Sequence, residues 1–262
     1  MYDKQVYDDI SGEPLDMEQV KEARKEEMKE FNKHDVYIKV PLQECWDETG
    51  KEPIGTRWVD TNKGDKVHPE VRSRLVAQEI KRDKREDLFA ATPPLEAKKL
   101  LFSFAVTEGI GYVRGRRLEG MKIDFIDVRR AYFHALARRK IYVRLCREDY
   151  EAGMCGRLQK AMYGTRDAAQ NWECEYVEFM LSIGFLGGKV SPCVFFNKEH
   201  NVRVVVHGDD FTCLGHEGDL DWFRNQIIKR YEVKFRGRLG PGVGDAKSIR
   251  ILNRVVAWTA DG

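Results

Sequence analysis

The sequence has no long hydrophobic run. Its longest apolar candidate, residues 100–106, is far shorter than the roughly 18–20 residues of a membrane span, so we expect no membrane association. The N-terminal segment is acidic, with Asp3, Asp8, Asp9 and Glu13, and no apolar stretch follows it. That pattern does not fit a secretory signal, and it favours an intracellular protein.

Cysteine and proline are also sparse, with 6 and 8 residues among 262. The cysteines form no Cys-x-x-Cys pair, and none lies beside a histidine at zinc-ligand spacing. We therefore expect neither a structural zinc site nor a disulfide framework, and we predict reduced, mostly buried thiols. The content of 8 prolines and 22 glycines excludes collagen-like and low-complexity chains.

Charge, in contrast, is abundant and segregated along the chain. Charged residues make up 34%, and the net charge is only +2. Residues 1–55 hold 8 basic and 15 acidic side chains, whereas residues 111–147 hold 11 basic and 3 acidic ones. Such a basic block can bind a polyanion such as nucleic acid, and a solvated basic face is the alternative.

The length of 262 residues suffices for one large domain or two small ones. Apolar periodicity predicts helices at 17–33, with Asp16 and Gln19 as an N-cap pair, from Thr92 towards Gly109, and at 166–184 and 220–230. Strands are predicted at 36–40, 56–60, 72–77, 121–128, 141–145, 194–196, 202–206, 211–214, 231–235 and 249–256, and the charged segment 81–87 is predicted to be exposed. Helices mixed with neighbouring antiparallel hairpins indicate the α+β class.

Asp127 lies near the end of an otherwise apolar predicted strand. A carboxylate there is costly unless it is paired, hydrogen-bonded or bound to a metal. The alternative is that Asp127 simply ends the strand and caps the next segment.

Asp209 and Asp210 lie in the short turn between two predicted strands. Adjacent carboxylates repel each other unless a divalent cation holds them, although polar hairpin tips are common. Acids from two strands can converge on one sheet edge, and oxygen ligands without His or Cys suit Mg²⁺. Two such ions about 3.5–4 Å apart suit in-line attack on phosphorus.

The motif around Asp127 (Asp-Val-Arg-Arg-Ala-Tyr-Phe) resembles the first catalytic motif of reverse transcriptases, and Gly208-Asp209-Asp210 resembles the second. The order of the motifs is similar to that in the polyprotein of copia-type retrotransposons. Further segments resemble that family in the same order, namely 53–59 (PIGTRWV), 72–77 (RSRLVA), 160–172 and 184–195. The resemblance extends from about residue 17 to about residue 258.

The resemblance implies a right-hand polymerase fold, with palm and fingers interleaved along the sequence and a thumb that is absent or incomplete. The implied division is an acidic helical lead at 1–35, fingers at 36–99 and 136–165, and palm at 100–135 and 166–262, the last with the start of the thumb connection. The implied activity is RNA-directed DNA polymerisation, with an RNA template, a DNA primer and dNTPs as partners. Other parts of a Pol polyprotein, such as integrase and ribonuclease H, are further implied partners. The implied location is the cytoplasm, in virus-like particles, or the nucleus.

The same resemblance implies site residues. Asp127, Asp209 and Asp210 would be the catalytic acids and would hold two Mg²⁺ ions, or Mn²⁺, with a backbone carbonyl near Val128. The implied substrate-binding residues are Arg72, Arg74, Tyr132 and Phe133. Arg74, and more weakly Arg72, would face the triphosphate, with a solvated strand face as the alternative. Tyr132 would be the steric gate against a ribose, with core packing as the alternative. The basic block would lie near template and primer phosphates.

Among the departures from the family pattern, two bear directly on the implied site. His207 replaces an aromatic residue before the second motif, where we expect it to pack or to form a hydrogen bond. Asp167 replaces a glutamine, and it would repel a triphosphate unless it pairs with Arg166 or another neighbour. Three hypotheses follow: an active polymerase domain, a catalytically inactive remnant that at most binds nucleic acid, and an interaction module that uses the acidic N-terminal helix.

Overall fold

The computed structural model describes residues 5–80, 90–251 and 254–259, and the predicted exposed segment 81–87 lies outside them. The chain divides into two compact units: unit 1 is Met1–Phe89 with Tyr132–Trp172, and unit 2 is Ala90–Ala131 with Glu173–Gly262. The unit borders follow Phe89, Ala131 and Trp172, whereas the sequence placed borders after residues 99, 135 and 165.

Helices and antiparallel strands alternate along the described residues. In chain order they are α1 (Met17–Lys33), β1 (Tyr37–Pro41), α2 (Leu42–Thr49), β2 (Thr56–Asn62), β3 (Val71–Ala77), α3 (Leu95–Ala105), β4 (Lys122–Val128), α4 (Ala131–His134), β5 (Tyr142–Val143), β6 (Met154–Leu158), α5 (Ala168–Ser182), β7 (Phe185–Gly187), β8 (Val194–Asn197), β9 (Val202–His207), β10 (Asp210–Gly215), α6 (Glu217–Arg230), β11 (Val233–Leu239), β12 (Ser248–Ile251) and β13 (Arg254–Ala257). Short 3-10 helices lie at Arg117–Glu119 and Arg147–Asp149. The α+β class is confirmed. The single strand predicted at 249–256 is wrong, because β12 and β13 pair with each other as a hairpin.

Unit 1 is built on α1, the hairpin β2–β3 and a sheet of order β1-β6-β5. Asp16 caps α1 as predicted, since its carboxylate accepts a 2.9 Å hydrogen bond from the backbone N–H of Gln19. Apolar side chains of α1, including Met28 and Phe31, enter the hydrophobic core of unit 1. The helix also packs against β3. Helix α1 is therefore part of unit 1 rather than a separate lead.

Unit 2 contains a sheet of order β11-β4-β10-β9-β8-β7. Side chains of a strand alternate between the two faces, so Ile123, Phe125 and Asp127 of β4 share one face. Ile123 and Phe125 pack in one core cluster with Leu101 of α3. On the opposite face, the Tyr176 ring of α5 lies 6.1 Å from the ring of Phe211. Asp127 therefore lies on the sheet face that α3 covers, near the C-terminal end of β4.

The six cysteines are free, and all but Cys174 are buried, which confirms the prediction of unpaired and mostly buried thiols. Among the described residues, none of the helices combines the length and the apolarity needed to cross a bilayer.

Candidate active site

Asp127 and Asp210 face each other across the antiparallel pair β4–β10, where they are direct register partners. Direct partners in such a ladder project their side chains from the same face of the sheet. The backbone N–H of Val128 donates a 2.9 Å hydrogen bond to the carbonyl of Asp209, which ties the end of β4 to the neighbouring turn. The structure thus brings the acids of both motifs together at the ends of two neighbouring strands of the unit 2 sheet.

A two-residue turn presents Asp209 beside Asp210. His207 and Asp210 are register partners of β9 and β10, so Gly208 and Asp209 form the loop between them. Gly208 has a φ of +63°, and glycine at the first loop position with positive φ is the pattern of a type II′ hairpin turn. This turn matches the right-handed twist of the two strands, and it keeps two carboxylates next to each other.

Arg236 of β11 supplies a positive charge to these acids. Its guanidinium donates a hydrogen bond to Asp127 and lies 3.7 Å from a carboxylate oxygen of Asp210. The hydrogen bond with Asp127, followed by the charges of the acids, raises the pKa of Arg236 despite partial burial. Sequence reasoning missed this residue. The available signal was Gly237, two residues after the predicted strand 231–235, because a glycine in a strand often marks a bulge that re-aims a side chain.

Burial and like charge act on Asp210 together. Burial raises the pKa of Asp210, Arg236 opposes this effect, and the nearby carboxylates of Asp209 and Asp127 raise the pKa further. Lys98 of α3 is only 4% exposed, and burial lowers the pKa of its amino group, against the attraction of Asp210. The acids therefore lie in a region where an added cation relieves repulsion.

His207 lies at the end of β9, opposite Asp210. Burial lowers the pKa of His207, and the charge of Lys98 lowers it further, whereas the two acids of the turn oppose this shift. A lowered pKa favours the neutral imidazole at neutral pH. The expected packing or hydrogen-bonding role of His207 stays a prediction.

The donor set of the site fits a divalent cation of the Mg²⁺ type. It consists of carboxylate oxygens without a thiolate, which is the ligand class that hard cations prefer. In the part of the chain that the structure describes, the three carboxylates do not bring one oxygen each within 4.8 Å of the others. Arg236 instead provides the positive charge between Asp127 and Asp210. The carboxylates that would bind a metal ion therefore already interact with a positive charge of the chain itself.

Arg74 and Tyr132 belong to an aromatic cluster in unit 1. The guanidinium of Arg74 lies 5.0 Å from the centre of the Tyr163 ring, and the Tyr163 and Tyr132 rings are 4.7 Å apart. Arg72 is two positions earlier on β3 and is exposed. Arg74 is therefore held by a cation–π contact, an interaction worth about 0.5–1 kcal/mol at exposed sites. The substrate roles of Arg72, Arg74 and Tyr132 stay predictions.

Phe133 is a core residue, which contradicts its predicted contact with the substrate. It has 0% exposure and lies in the main hydrophobic cluster of unit 1. Its ring meets that of Phe31 edge-on at 4.9 Å and that of Tyr163 at 5.8 Å. A side chain without accessible surface cannot contact a nucleotide unless the core opens. Its neighbour Tyr132 is only partly buried, because consecutive residues of the short helix α4 point in different directions.

Asp167 forms an ion pair within unit 1. Its two carboxylate oxygens accept hydrogen bonds of 3.0 and 2.8 Å from Arg139, and Asn171 donates another at 3.1 Å. Burial would raise the pKa of Asp167, but these hydrogen bonds and the charge of Arg139 outweigh it, and the pKa is lowered. The partner is Arg139 and not Arg166, whose backbone N–H binds Glu79. The ion pair with Arg139, which also pairs with Glu79, therefore reduces the expected repulsion of a triphosphate.

The basic block is in part neutralised by acids from other segments of the chain. In unit 1, Lys140 lies 2.6 Å from Glu48, and Arg144 pairs with Glu52. In unit 2, Lys122 lies 3.0 Å from Asp245. The charge segregation seen along the sequence is therefore smaller in the folded chain, and the expectation of a continuous basic surface for phosphates is weakened.

The comparisons with known proteins agree with the motifs. A family model described as "Reverse transcriptase (RNA-dependent DNA polymerase)" matches residues 46–244. The chain is 24% identical over 231 residues to the retrovirus-related Pol polyprotein from transposon TNT 1-94 of Nicotiana tabacum, and the match covers 84% of this chain but only 16% of that polyprotein. A solved structure of a foamy viral protease-reverse transcriptase in complex with double-stranded DNA is similar with a TM-score of 0.46 and 10% identity, over 91% of this chain and 34% of that chain.

The family model covers well over half of the chain, and its match contains both acid motifs. The tobacco relative is itself a transposon polyprotein. The chain therefore belongs to the reverse transcriptase (RNA-dependent DNA polymerase) family, and the resemblance to the reverse transcriptase domain of copia-type retrotransposons is confirmed.

Proposed function

We propose that the chain is an RNA-directed DNA polymerase domain, which transfers nucleotides from dNTPs to the 3′-hydroxyl of a DNA primer on an RNA template. The observation that carries this proposal is the pairing of Asp127 with Asp210 across β4–β10, with Asp209 on the adjoining turn. Acids at the ends of two neighbouring strands can hold metal ions for a reaction at phosphorus, which needs no covalent nucleophile on the protein.

The role of the chain in this reaction is to hold oxygen ligands in place. Asp127, Asp209 and Asp210, with the carbonyl of Val128, are the residues that would hold two Mg²⁺ or Mn²⁺ ions. When bound, these ions would activate the primer hydroxyl and offset negative charge on the phosphates. The β4–β10 ladder fixes two of the carboxylates, and the hydrogen bond from Val128 to the Asp209 carbonyl fixes the turn that carries the third.

The proposal extends to the two units. Unit 1 would act as the fingers, with Arg74 and Arg72 directed to the triphosphate and Tyr132 rejecting a ribose 2′-hydroxyl. Unit 2 would act as the palm. The aromatic support of Arg74 by Tyr163 favours a positioned guanidinium over a freely solvated one. The reaction would take place inside the cell, in cytoplasmic particles or the nucleus, together with the remaining parts of a Pol polyprotein.

Primer extension on poly(rA)–oligo(dT) tests the proposal. We expect the purified chain to extend the primer with Mg²⁺ or Mn²⁺ and to stop in EDTA. The double substitution Asp209→Asn, Asp210→Asn should lower extension by at least about a hundredfold, the range found when a group that stabilises transition-state charge is removed. Binding of the hybrid should persist in this variant and should weaken as salt rises.

The control is Asp47→Asn, which also removes a negative charge, but from the exposed surface of α2 in unit 1. It should extend primers like the parent chain. Extension by the Asp209→Asn, Asp210→Asn variant at the parental rate would refute the assignment. A parent chain that binds the hybrid but never extends it would instead identify a nucleic-acid-binding remnant.

A further inference from the structure

Arg236 contacts Asp127 and Asp210, the two acids that face each other across the ends of β4 and β10. One of them comes from each acid motif. It binds Asp127 directly, and it lies 3.7 Å from Asp210. These are the same carboxylates that the proposed function assigns to metal ions. A carboxylate oxygen that accepts a hydrogen bond from a guanidinium has less capacity left for a metal ion.

A bulge in β11 places Arg236 there. The register of β11 on β4 shifts between Phe235 and Gly237, so that Arg236 is the residue without a partner in the ladder. Gly237 has a φ of +145°, which side-chain-bearing residues rarely adopt. A bulge turns the extra residue away from the regular alternation of the strand. The contact with the acids is therefore built into the backbone of β11.

Arg236 is more exposed than Arg238 on the same strand. The side chain of Arg236 is 38% exposed, more than those of Asp127 and Asp210, which are 19% and 23% exposed. The side chain of Arg238 is 11% exposed, and its guanidinium binds buried Asp124 at 2.6 and 2.8 Å. Releasing Arg236 exposes a guanidinium to water at little cost, while releasing Arg238 would leave a buried charge without its partner.

We propose that Arg236 is a displaceable internal counter-cation, which holds Asp127 and Asp210 in the metal-free chain and must swing away before a divalent cation binds them. This inference rests on the proposed function, because it takes the same acids as metal ligands. Arg236 then sets the apparent metal affinity. If it holds the acids in about nine of ten molecules, the apparent dissociation constant rises about tenfold, since only the remaining fraction is competent to bind.

Titration of the full-length chain with Mn²⁺, followed by the electron paramagnetic resonance signal of the free ion, tests this proposal without a turnover assay. Arg236→Gln should bind Mn²⁺ at least about fivefold more tightly than the parent chain, because the competing charge is gone. Arg236→Lys keeps the charge but loses the planar fork of the guanidinium, so its affinity should lie between the two. The Arg236→Lys variant also provides a second measurement if Arg236→Gln folds poorly.

The matched control is Lys234→Gln. Lys234 is the register partner of Asp127 on β11 and is exposed, and the described contacts give it no ion pair with the acids. This substitution removes one positive charge from the same strand without removing a contact. Its effect on the Mn²⁺ affinity should stay within about twofold, because an exposed and well-solvated charge that forms no ion pair with the acids contributes little.

Each result has a definite meaning. Equal affinities in the parent, Arg236→Gln and Lys234→Gln chains would overturn the inference, and weaker binding in Arg236→Gln would make Arg236 a support of the metal site. The double variant Asp127→Asn, Asp210→Asn distinguishes a failure of the proposed metal site from a failure of the role of Arg236. If Mn²⁺ binding persists in that variant, the proposed metal site fails. If binding is lost there but Arg236→Gln equals the parent, only the role of Arg236 fails.

Discussion

At the scale of single residues, Asp167 shows how a substitution in a motif can be compensated by a distant partner. The family pattern has a glutamine at this position, and the sequence suggested that a carboxylate there would disturb a nearby triphosphate. In the structure, Arg139 binds both oxygens of Asp167 and also binds Glu79. The side chain of Asp167 is buried, so this ion pair is part of the packing of unit 1.

We predict that Asp167→Asn lowers the free energy of unfolding by roughly 1–3 kcal/mol at pH 7, because a charge-assisted hydrogen bond is lost at a buried site. The folded-state pKa of Asp167 is below its ordinary 3.8. A lowered pKa adds stability that is fully present above the pKa of the unfolded chain and is lost as the pH falls through the folded-state pKa. The difference between parent and variant should therefore shrink below about pH 4. Urea unfolding between pH 7 and pH 3 measures it.

The control for this prediction is Asp47→Asn, since Asp47 is exposed on α2. It should change the free energy of unfolding by no more than about 0.5 kcal/mol at any of these pH values. A parent-to-variant difference for Asp167→Asn that grows as the pH falls would contradict the ion pair seen here.

At the scale of elements, the turn before α5 is fixed by a close approach of two backbones. Gly164 has a φ of +85°, and a Cβ at this position would lie 1.9 Å from the carbonyl oxygen of Ala77 in β3. The N–H of Ala77 donates a 2.7 Å hydrogen bond to the carbonyl of Tyr163. A glycine is required here because both the conformation and the space exclude a side chain.

We predict that Gly164→Ala destabilises the chain by roughly 2–5 kcal/mol, from the left-handed conformation and from overpacking against β3. Gly153→Ala is the matched control. Gly153 also has a positive φ, of +75°, but a Cβ there would meet nothing within 4 Å. It should cost only about 1–2 kcal/mol. Equal losses of unfolding free energy in denaturant titrations would show that the contact with Ala77 adds nothing.

At the scale of the whole molecule, the chain has a separate hydrophobic core in each unit. The cluster around Phe133 and Leu75 contains residues of unit 1, and the cluster around Phe125 and Leu214 contains residues of unit 2. Each unit is formed by two stretches that are far apart in sequence. Regions with their own cores commonly open as separate cooperative units.

We predict that Leu75→Ala and Leu214→Ala affect different parts of the chain. Both leucines are almost completely buried, and each substitution should cost about 2–5 kcal/mol. In hydrogen exchange of the full chain, Leu75→Ala should speed exchange in β2 and β3, and Leu214→Ala should speed exchange in β4 and β10. If each substitution accelerates exchange equally in both units, the two cores unfold as one.

The sequence by itself determined most of the local elements, the position of the two acid motifs and the family. The N-cap of α1, the hairpin β2–β3 and the strands around Gly208 were predictable because they depend on periodicity and turn chemistry over a few residues. The strand β6 was missed because its five residues include a glycine and form a strand only by pairing with β1 and β5. Short elements of this kind depend on tertiary partners more than on local preference.

Only the tertiary structure decided how the charged and aromatic side chains are paired. The partner of Asp167 lies 28 residues earlier in the chain, and Arg236 reaches Asp127 from 109 residues away. Phe133 follows Tyr132 directly, yet burial separates their roles. Such outcomes depend on which distant segments meet and on where a bulge re-aims a side chain, and neither is encoded in a local pattern. The acids of the site were therefore predictable from sequence, whereas the cation that holds them was not.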